Sequence, residues 1–243
     1  MTYAMVDDIA LPGNENRAVL RQTNPSKRPA KTARVAARGV YASVGKRIFD
    51  ITLLMIAAPF VLPVLAITWL ITVLDGGHGF YAQERVGRDG KTFRCWKIRT
   101  MVPNAEAVLK ELIRQDKAIA REWTANQKLA NDPRITRWGR VLRQTSLDEL
   151  PQLLNVLKGD MSLIGPRPFT LDQRALYDQI DADAAYYDLR PGISGLWQVE
   201  CRNEGEFSER VAYDNEYGKQ LGFAQDLRIT AKTFSVILKG TGR

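Results

Sequence analysis

A chain of 243 residues that is 45% hydrophobic and 26% charged can bury the core of one ordinary domain with appendages, which excludes a wholly disordered protein. Its net charge is +8, and it has two distant cysteines and one histidine. These exclude a disulfide scaffold and a Cys/His zinc site, and they point to chemistry that runs without an imidazole base.

The charge is uneven. Residues 1–47 hold nine Lys and Arg (Arg17, Arg21, Lys27, Arg28, Lys31, Arg34, Arg38, Lys46, Arg47) against Asp7, Asp8 and Glu15, a local +6 that leaves only +2 elsewhere. With little hydrophobic periodicity, residues 1–44 read as a disordered basic tail drawn to an anionic surface, either phospholipid or nucleic acid. The two thiols, Cys95 and Cys201, read as reduced, small buried side chains.

Ile51 to Leu74 follows as 24 uncharged, largely apolar residues, long enough as a helix to cross a hydrocarbon core of about 30 Å. Pro59 and Pro63 each remove a helical N–H and crowd the carbonyl four residues back. Two arms are expected, Gly45–Ala58 and Pro59–Leu74, each about 20 Å long. A spanning helix, a re-entrant hairpin and a buried core helix all fit these residues.

Phe80–Gly87 and Lys91–Ile98 flank Asp89-Gly90, a hairpin turn signal between stretches rich in aromatic and β-branched residues. The hairpin region carries Arg85, Arg88, Lys91, Arg94, Lys97 and Arg99, which is either a solvated face or a cradle for phosphate. Asn104–Leu129 has helical periodicity, and Asn131-Asp132-Pro133-Arg134 interrupts it. Arg134–Arg143 then forms a basic amphipathic stretch with Ile135, Trp138, Val141 and Leu142, suited to a headgroup surface.

Two adjacent acids come next. Pro151 belongs in the first turn of a helix, so a helix is expected to start near Leu147 or Asp148, with Leu150, Leu153, Leu154 and Leu157 as its buried stripe. Asp148 and Glu149 would then lie at its N-terminus, where acids cap free N–H groups. The following Ser162–Pro168 segment holds Arg167 in a rigid turn between two prolines. Two carboxylates near a fixed guanidinium suit phosphate chemistry: one acid can attack phosphorus while the other holds Mg²⁺.

The chain resembles the bacterial sugar transferases, the monotopic phosphoglycosyl transferases that start surface glycoconjugates, and among them those starting exopolysaccharide synthesis. The resemblance rests on Lys46–Asp50, Gln83–Gly90, Lys97–Met101, Asp132–Thr136, Ser146–Leu153, Met161–Pro168 and Arg190–Gln198, in order over residues 45–240.

The resemblance implies transfer of a sugar-1-phosphate, of galactose or glucose, from a UDP-sugar to undecaprenyl phosphate with release of UMP. Asp148 would be the nucleophile that forms an aspartyl phospho-sugar, and Glu149 would help hold Mg²⁺. Arg167, with Arg88, Lys97, Arg99, Arg134 and Arg202, would serve phosphate and substrate. It implies an α+β, mainly helical fold: a re-entrant membrane helix over residues 45–75 broken at Ala58-Pro59, a small β-hairpin, and interfacial amphipathic helices around a catalytic domain, residues 76–243. That domain would face the cytoplasm from the inner membrane, with membrane lipid and not nucleic acid as partner; a homo-oligomer is left open.

Two departures stand out. Ala58 replaces the serine that the family has before the break, and Val199–Asn203 replaces its usual Ser-Gly-Arg turn. Near the end, Phe223–Lys239 reads as an amphipathic helix on a membrane surface or on a core. The rival to the enzyme is a membrane-anchored basic binding module, which would leave Asp148, Glu149 and Arg167 without a shared role. No Walker A or G-x-G-x-x-G loop supports a soluble nucleotide enzyme.

Overall fold

The computed structural model of the protein describes residues 39–126, 129–182, 184–201, 207 and 209–238. The basic tail expected over residues 1–44 lies outside it up to residue 38, as does Arg202. Helical backbone begins with a π-helical turn at Tyr41–Gly45, inside the expected tail, and runs into α1, Lys46–Leu74. Tyr41 accounts for the early start: its hydroxyl donates to Asp226 at 2.6 Å, and its ring meets Phe223 edge-on.

The two expected arms of the apolar segment are one continuous helix, with Pro59 and Pro63 both inside it. Four residues apart, the prolines lie one turn apart on the same face, so the hydrogen-bond ladder is interrupted on that face only. Both ends of α1 dock on the rest of the chain, where Lys46, Asp50, Leu54, Thr68 and Thr72 are buried. Between them Met55, Ile56, Phe60, Leu62 and Ile67 are exposed apolar side chains.

The N-terminal anchor is ionic. Asp50 accepts hydrogen bonds from Ser162 Oγ at 2.7 Å and the Leu163 N–H at 3.1 Å, while Lys46 pairs with Asp226 at 2.8 Å. Arg47 caps a helix end by donating to the Val156 and Leu157 carbonyls. At the other end Arg99 donates to the Thr72 carbonyl at 2.8 Å and Trp138 Nε1 donates to Thr72 Oγ1 at 3.1 Å.

The hairpin forms where the turn signal placed it. Strands β1, Phe80–Val86, and β2, Thr92–Ile98, pair antiparallel with Gln83 opposite Cys95. Asp89 and Gly90 take positive φ in the connecting turn, as residues of this type do readily. The expected single helix after the hairpin is two, α2 at Ala105–Gln115 and α3 at Lys117–Asn126. Asp116 leaves the helical region and its carboxylate accepts from the Ala118 N–H at 2.7 Å, so a good N-cap residue splits the periodic stretch.

Helix α4, Arg137–Thr145, is capped by Thr136, whose hydroxyl accepts from the Gly139 N–H. A Cβ on Gly139 would come within 2.0 Å of the Thr100 carbonyl oxygen, so only glycine permits this packing. Helix α5 departs from expectation. Asp148 and Glu149 lie in a 3₁₀ turn, Leu147–Glu149, and α5 runs Gln152–Lys158 with Pro151 as N-cap. Its buried residues are Gln152, Asn155 and Val156; of the expected leucine stripe, Leu150 is half-buried and Leu153 packs on the core around Val156 and Met161, while Leu154 and Leu157 are 46% and 52% exposed. The reason is Asn155, whose amide accepts from the Trp96 N–H and donates to the Arg94 carbonyl, serving the free edge of β2 as a neighbouring strand would.

The remaining elements are β3, Ser162–Ile164; α6, Arg174–Asp181; β4, Gly192–Ser194; α7, Leu196–Glu200; α8, Glu209–Lys219; and α9, Phe223–Leu238. Strands β3 and β4 pair in parallel. An aromatic core of Phe169, Tyr177 and Tyr186, with ring centroids 4.5 to 5.4 Å apart, lies between the hairpin and α8. Each such pair adds about 1 kcal/mol to its burial. Helix α9 buries Asp226 and Ile229 against Tyr217 and leaves Phe223, Leu227 and Phe234 exposed, so it packs on a core and keeps an apolar outer face. The outcome is a mainly helical chain with two small sheets and one long apolar helix.

Candidate active site

The turn that carries Arg167 is built by glycine contacts. Gly165 N–H donates to the Ser194 carbonyl and Gly192 N–H donates to the Pro166 carbonyl. A Cβ on Gly165 would approach the Arg190 carbonyl oxygen to 2.4 Å, and one on Gly195 would approach the Gly165 carbonyl oxygen to 2.0 Å. The Arg190–Gln198 motif therefore holds the Gly165–Pro168 turn from behind, and the two prolines fix its φ angles.

Opposite it, the 3₁₀ turn Leu147–Glu149 presents both acids, entered through Ser146 in the left-handed region. Lys97 on β2 reaches between them, 2.8 Å from Glu149 Oε1 and 3.6 Å from Asp148 Oδ2. Arg167 Nη2 donates to the same Glu149 Oε1 at 3.1 Å. Asp148, Glu149, Lys97 and Arg167 are thus one cluster.

The two acids behave differently. Burial opposes ionisation of Glu149, but the charges and hydrogen bonds of Arg167 and Lys97 outweigh it and hold its carboxyl down at about 2. Asp148 accepts no hydrogen bond among the described residues. Burial pushes its carboxyl up, Lys97 pulls it back only partly, and the Glu149 charge adds to the rise. Glu149 is a clamped anion, and Asp148 has oxygens left to react.

The other expected substrate cations are placed elsewhere or used otherwise. Arg134 forms a buried two-pronged pair with Asp132 at 2.8 and 2.6 Å and lies over the Trp123 ring. Arg99 holds the end of α1. Arg88 lines a 40 Å³ cavity with Lys46, Ser162, Asp188 and Arg190.

Three arginines outside the expected set flank the cluster. Arg143 is fixed by a 2.9 Å bond to Thr100 Oγ1 within electrostatic reach of Asp148. Arg85 donates to the Pro168 carbonyl. Arg210 lies within reach of Arg167. Arg85 belongs to the hairpin cations read as a solvated face or a phosphate cradle and Arg143 to the basic Arg134–Arg143 stretch, while Arg210 stands where the family resemblance calls only for a polar residue.

Among the described residues, no three His, Cys, Asp or Glu side chains meet. Glu149 Oε2 and the Asp148 carboxylate are nevertheless hard oxygen donors left unclaimed by hydrogen bonds. They suit Mg²⁺, which takes one or two carboxylates together with substrate phosphates.

Comparison with known proteins shows the family. The family model for bacterial sugar transferases matches residues 41–240. An undecaprenyl-phosphate galactose phosphotransferase of Salmonella typhimurium is 46% identical over 81% of the chain and 41% of its own length. An exopolysaccharide production protein, ExoY, of Sinorhizobium fredii is 42% identical over 82% of the chain and 88% of its own length. An Aeromonas hydrophila UDP-N-acetylgalactosamine-undecaprenyl-phosphate N-acetylgalactosaminephosphotransferase is 36% identical over 84% and 45%. The chain thus spans less than half of the two phosphotransferases and most of the exopolysaccharide protein.

Proposed function

The chain belongs to the bacterial sugar transferase family, and from that premise we propose that it transfers a sugar-1-phosphate from a UDP-sugar to undecaprenyl phosphate, the first membrane step of exopolysaccharide synthesis. The observation that carries this is the cluster itself: a buried Asp148 that accepts no hydrogen bond among the described residues, beside a Glu149 clamped by Lys97 and Arg167. In the proposed reaction Asp148 attacks the sugar-bearing phosphorus, and the bond to the nucleotide phosphate breaks with its electron pair leaving on UMP. An oxygen of the lipid phosphate then attacks the same phosphorus and restores the Asp148 carboxylate. No proton need be removed from the nucleophile, in keeping with a cluster of Lys97, Asp148, Glu149 and Arg167 that includes no histidine.

Lys97 and Arg167 would place the phosphate against Asp148 and offset the charge that spreads over its oxygens. Glu149 with substrate phosphates would hold Mg²⁺, which when bound neutralises phosphate charge. The re-entrant reading of α1 draws support from its two docked ends and the exposed apolar stretch between them. A helix anchored to one domain at both ends brings the lipid phosphate to that domain's face of the membrane. Galactose and glucose are the favoured sugars.

The test is UMP release from a panel of UDP-sugars by detergent-purified protein with Mg²⁺, with and without undecaprenyl phosphate. Lipid-dependent release with one donor supports the proposal and identifies the sugar. Folded protein that releases UMP from none of them favours the anchored binding module.

A further inference from the structure

The carboxylate cluster does not account for all the charge buried around the Pro166–Pro168 turn. Arg210, on the first turn of α8, is 3% exposed, and its guanidinium lies 5.4, 5.7 and 5.6 Å from the ring centroids of Phe169, Trp197 and Phe207. It forms an ion pair with Asp214, Nε to Oδ2 at 3.6 Å, which is longer than a hydrogen bond. Arg210 Nε and Nη2 have no hydrogen-bond partner among the described residues. Nor do Trp197 Nε1, Gln198 Nε2 and Oε1, and Arg85 Nε.

These atoms collect on one turn. Arg85 Nη1 donates to the Pro168 carbonyl at 3.1 Å, and Gln198 Oε1 lies where a Cβ on Gly195 would come within 2.7 Å. Phe169, under Arg210, directly follows Pro168. Burial, and also the neighbouring Arg167, weaken the hold of Arg210 on its proton, and Arg85 feels both Arg167 and Arg210. Three guanidinium groups therefore crowd one turn, and two of them, Arg85 and Arg210, have buried donors without a hydrogen-bond partner among the described residues. Buried polar groups are nearly always satisfied, so a set of buried N–H donors without hydrogen bonds, two of its members guanidinium groups, marks a place for an anion. Arg167, at 39% side-chain exposure, gives the group an open member through which a ligand enters.

We propose that Arg210, with Trp197 Nε1, Gln198 Nε2 and Arg85 Nε, forms a second phosphate subsite beyond Arg167 that takes the phosphate of the departing nucleotide. The inference rests on the proposed sugar-phosphate transfer and deepens it. When Asp148 displaces UMP, the bridging oxygen leaves with an electron pair and the nucleotide phosphate gains negative charge, which unused N–H donors are suited to receive. Displacement at phosphorus is in line, so the lipid phosphate enters from the side that UMP left and meets the same donors.

Equilibrium binding of UMP and of uridine to the full-length protein in detergent tests this. Uridine lacks only the phosphate and so reports whether the rest of the site is intact. The wild type should bind UMP at least tenfold more tightly than uridine. Arg210→Gln and Trp197→Phe should each lower that preference at least fivefold without moving uridine affinity more than twofold. Trp197→Phe keeps an aromatic ring beside Arg210 and removes only the donor, so it remains informative if Arg210→Gln fails to fold. An unchanged preference in Trp197→Phe and in folded Arg210→Gln, with UMP release intact, overturns the subsite alone. Variants that release UMP normally but fail only in transfer to undecaprenyl phosphate overturn the nucleotide assignment. Wild-type protein that releases no UMP from any UDP-sugar overturns the proposed function and this inference together.

Discussion

Two groups of buried charge differ in how completely their hydrogen bonds are used. At the start of α1, Asp50 is bonded to Ser162 and Leu163, and Asp226 takes Lys46, Tyr41 and Tyr217. Around Arg167, among the described residues, Asp148 has an ion pair with Lys97 but accepts no hydrogen bond, and Arg210, Trp197 and Gln198 keep donors without hydrogen-bond partners. Both groups bear the cost of desolvating charge. The first offsets it internally and fixes the membrane helix to the domain; the second leaves it partly unmet, as a site that awaits an anion does. Partner count, rather than burial or residue type, separates these two groups.

The strongest test of that contrast is Asp148→Asn, which should lower turnover by roughly 10⁴-fold or more. It should leave the melting temperature unchanged or raised, because burial disfavours the Asp148 charge. Asp50→Ala should do the reverse: a loss of about 3–5 kcal/mol in chemical denaturation, since Lys46 and Ser162 lose a buried partner. A mild effect there would break the comparison. Glu149→Gln falls between the two, with both a roughly 10- to 100-fold loss of turnover and a lower melting temperature, because Lys97 and Arg167 converge on it.

Acid titration sharpens the same point. The Glu149 carboxyl is lowered from 4.5 to about 2, so the stability it contributes is complete above pH 4.5 and is lost as pH falls toward 2. Asp148 moves the other way. Burial raises its folded-state pKa from 3.8, so activity should fall with acid at a higher pH than an ordinary aspartate would set. The smallest effect is expected from Trp138→Phe, about 1 kcal/mol, for loss of the bond to Thr72 that helps hold the far end of α1.

Local signals in the sequence were readable where backbone chemistry is local. Asp89-Gly90 marked the hairpin, and Pro151 marked a helix start nearby, although it is the N-cap and leaves both acids in the 3₁₀ turn before α5 rather than in its first turn. Asp116 could have been read the same way, since its side chain caps α3, but continuous periodicity masked it. Leu154 and Leu157 of α5 were misread because hydrophobicity gives no direction. Asn155 is drawn inward by the edge of β2, and Leu154 and Leu157 turn outward on a membrane-associated protein. The hairpin cations were legible as a set but not individually. Lys97 joins the acids, Arg99 the membrane helix and Arg88 a separate cavity, and those partners come from distant parts of the chain. Arg210 was visible only as a polar residue, since its empty donors exist only once Phe169 and Trp197 are packed around it.

The central claim is that Asp148 carries the phospho-sugar, and a trapping experiment tests it most directly. Protein incubated with UDP-sugar labelled in the sugar and in its attached phosphate, without undecaprenyl phosphate, would be quenched and peptide-mapped. The account predicts label on the peptide containing Asp148, one equivalent of UMP released, and transfer of the label when the lipid is added. Unlabelled protein whose UMP release depends wholly on the lipid would instead establish direct displacement and contradict it.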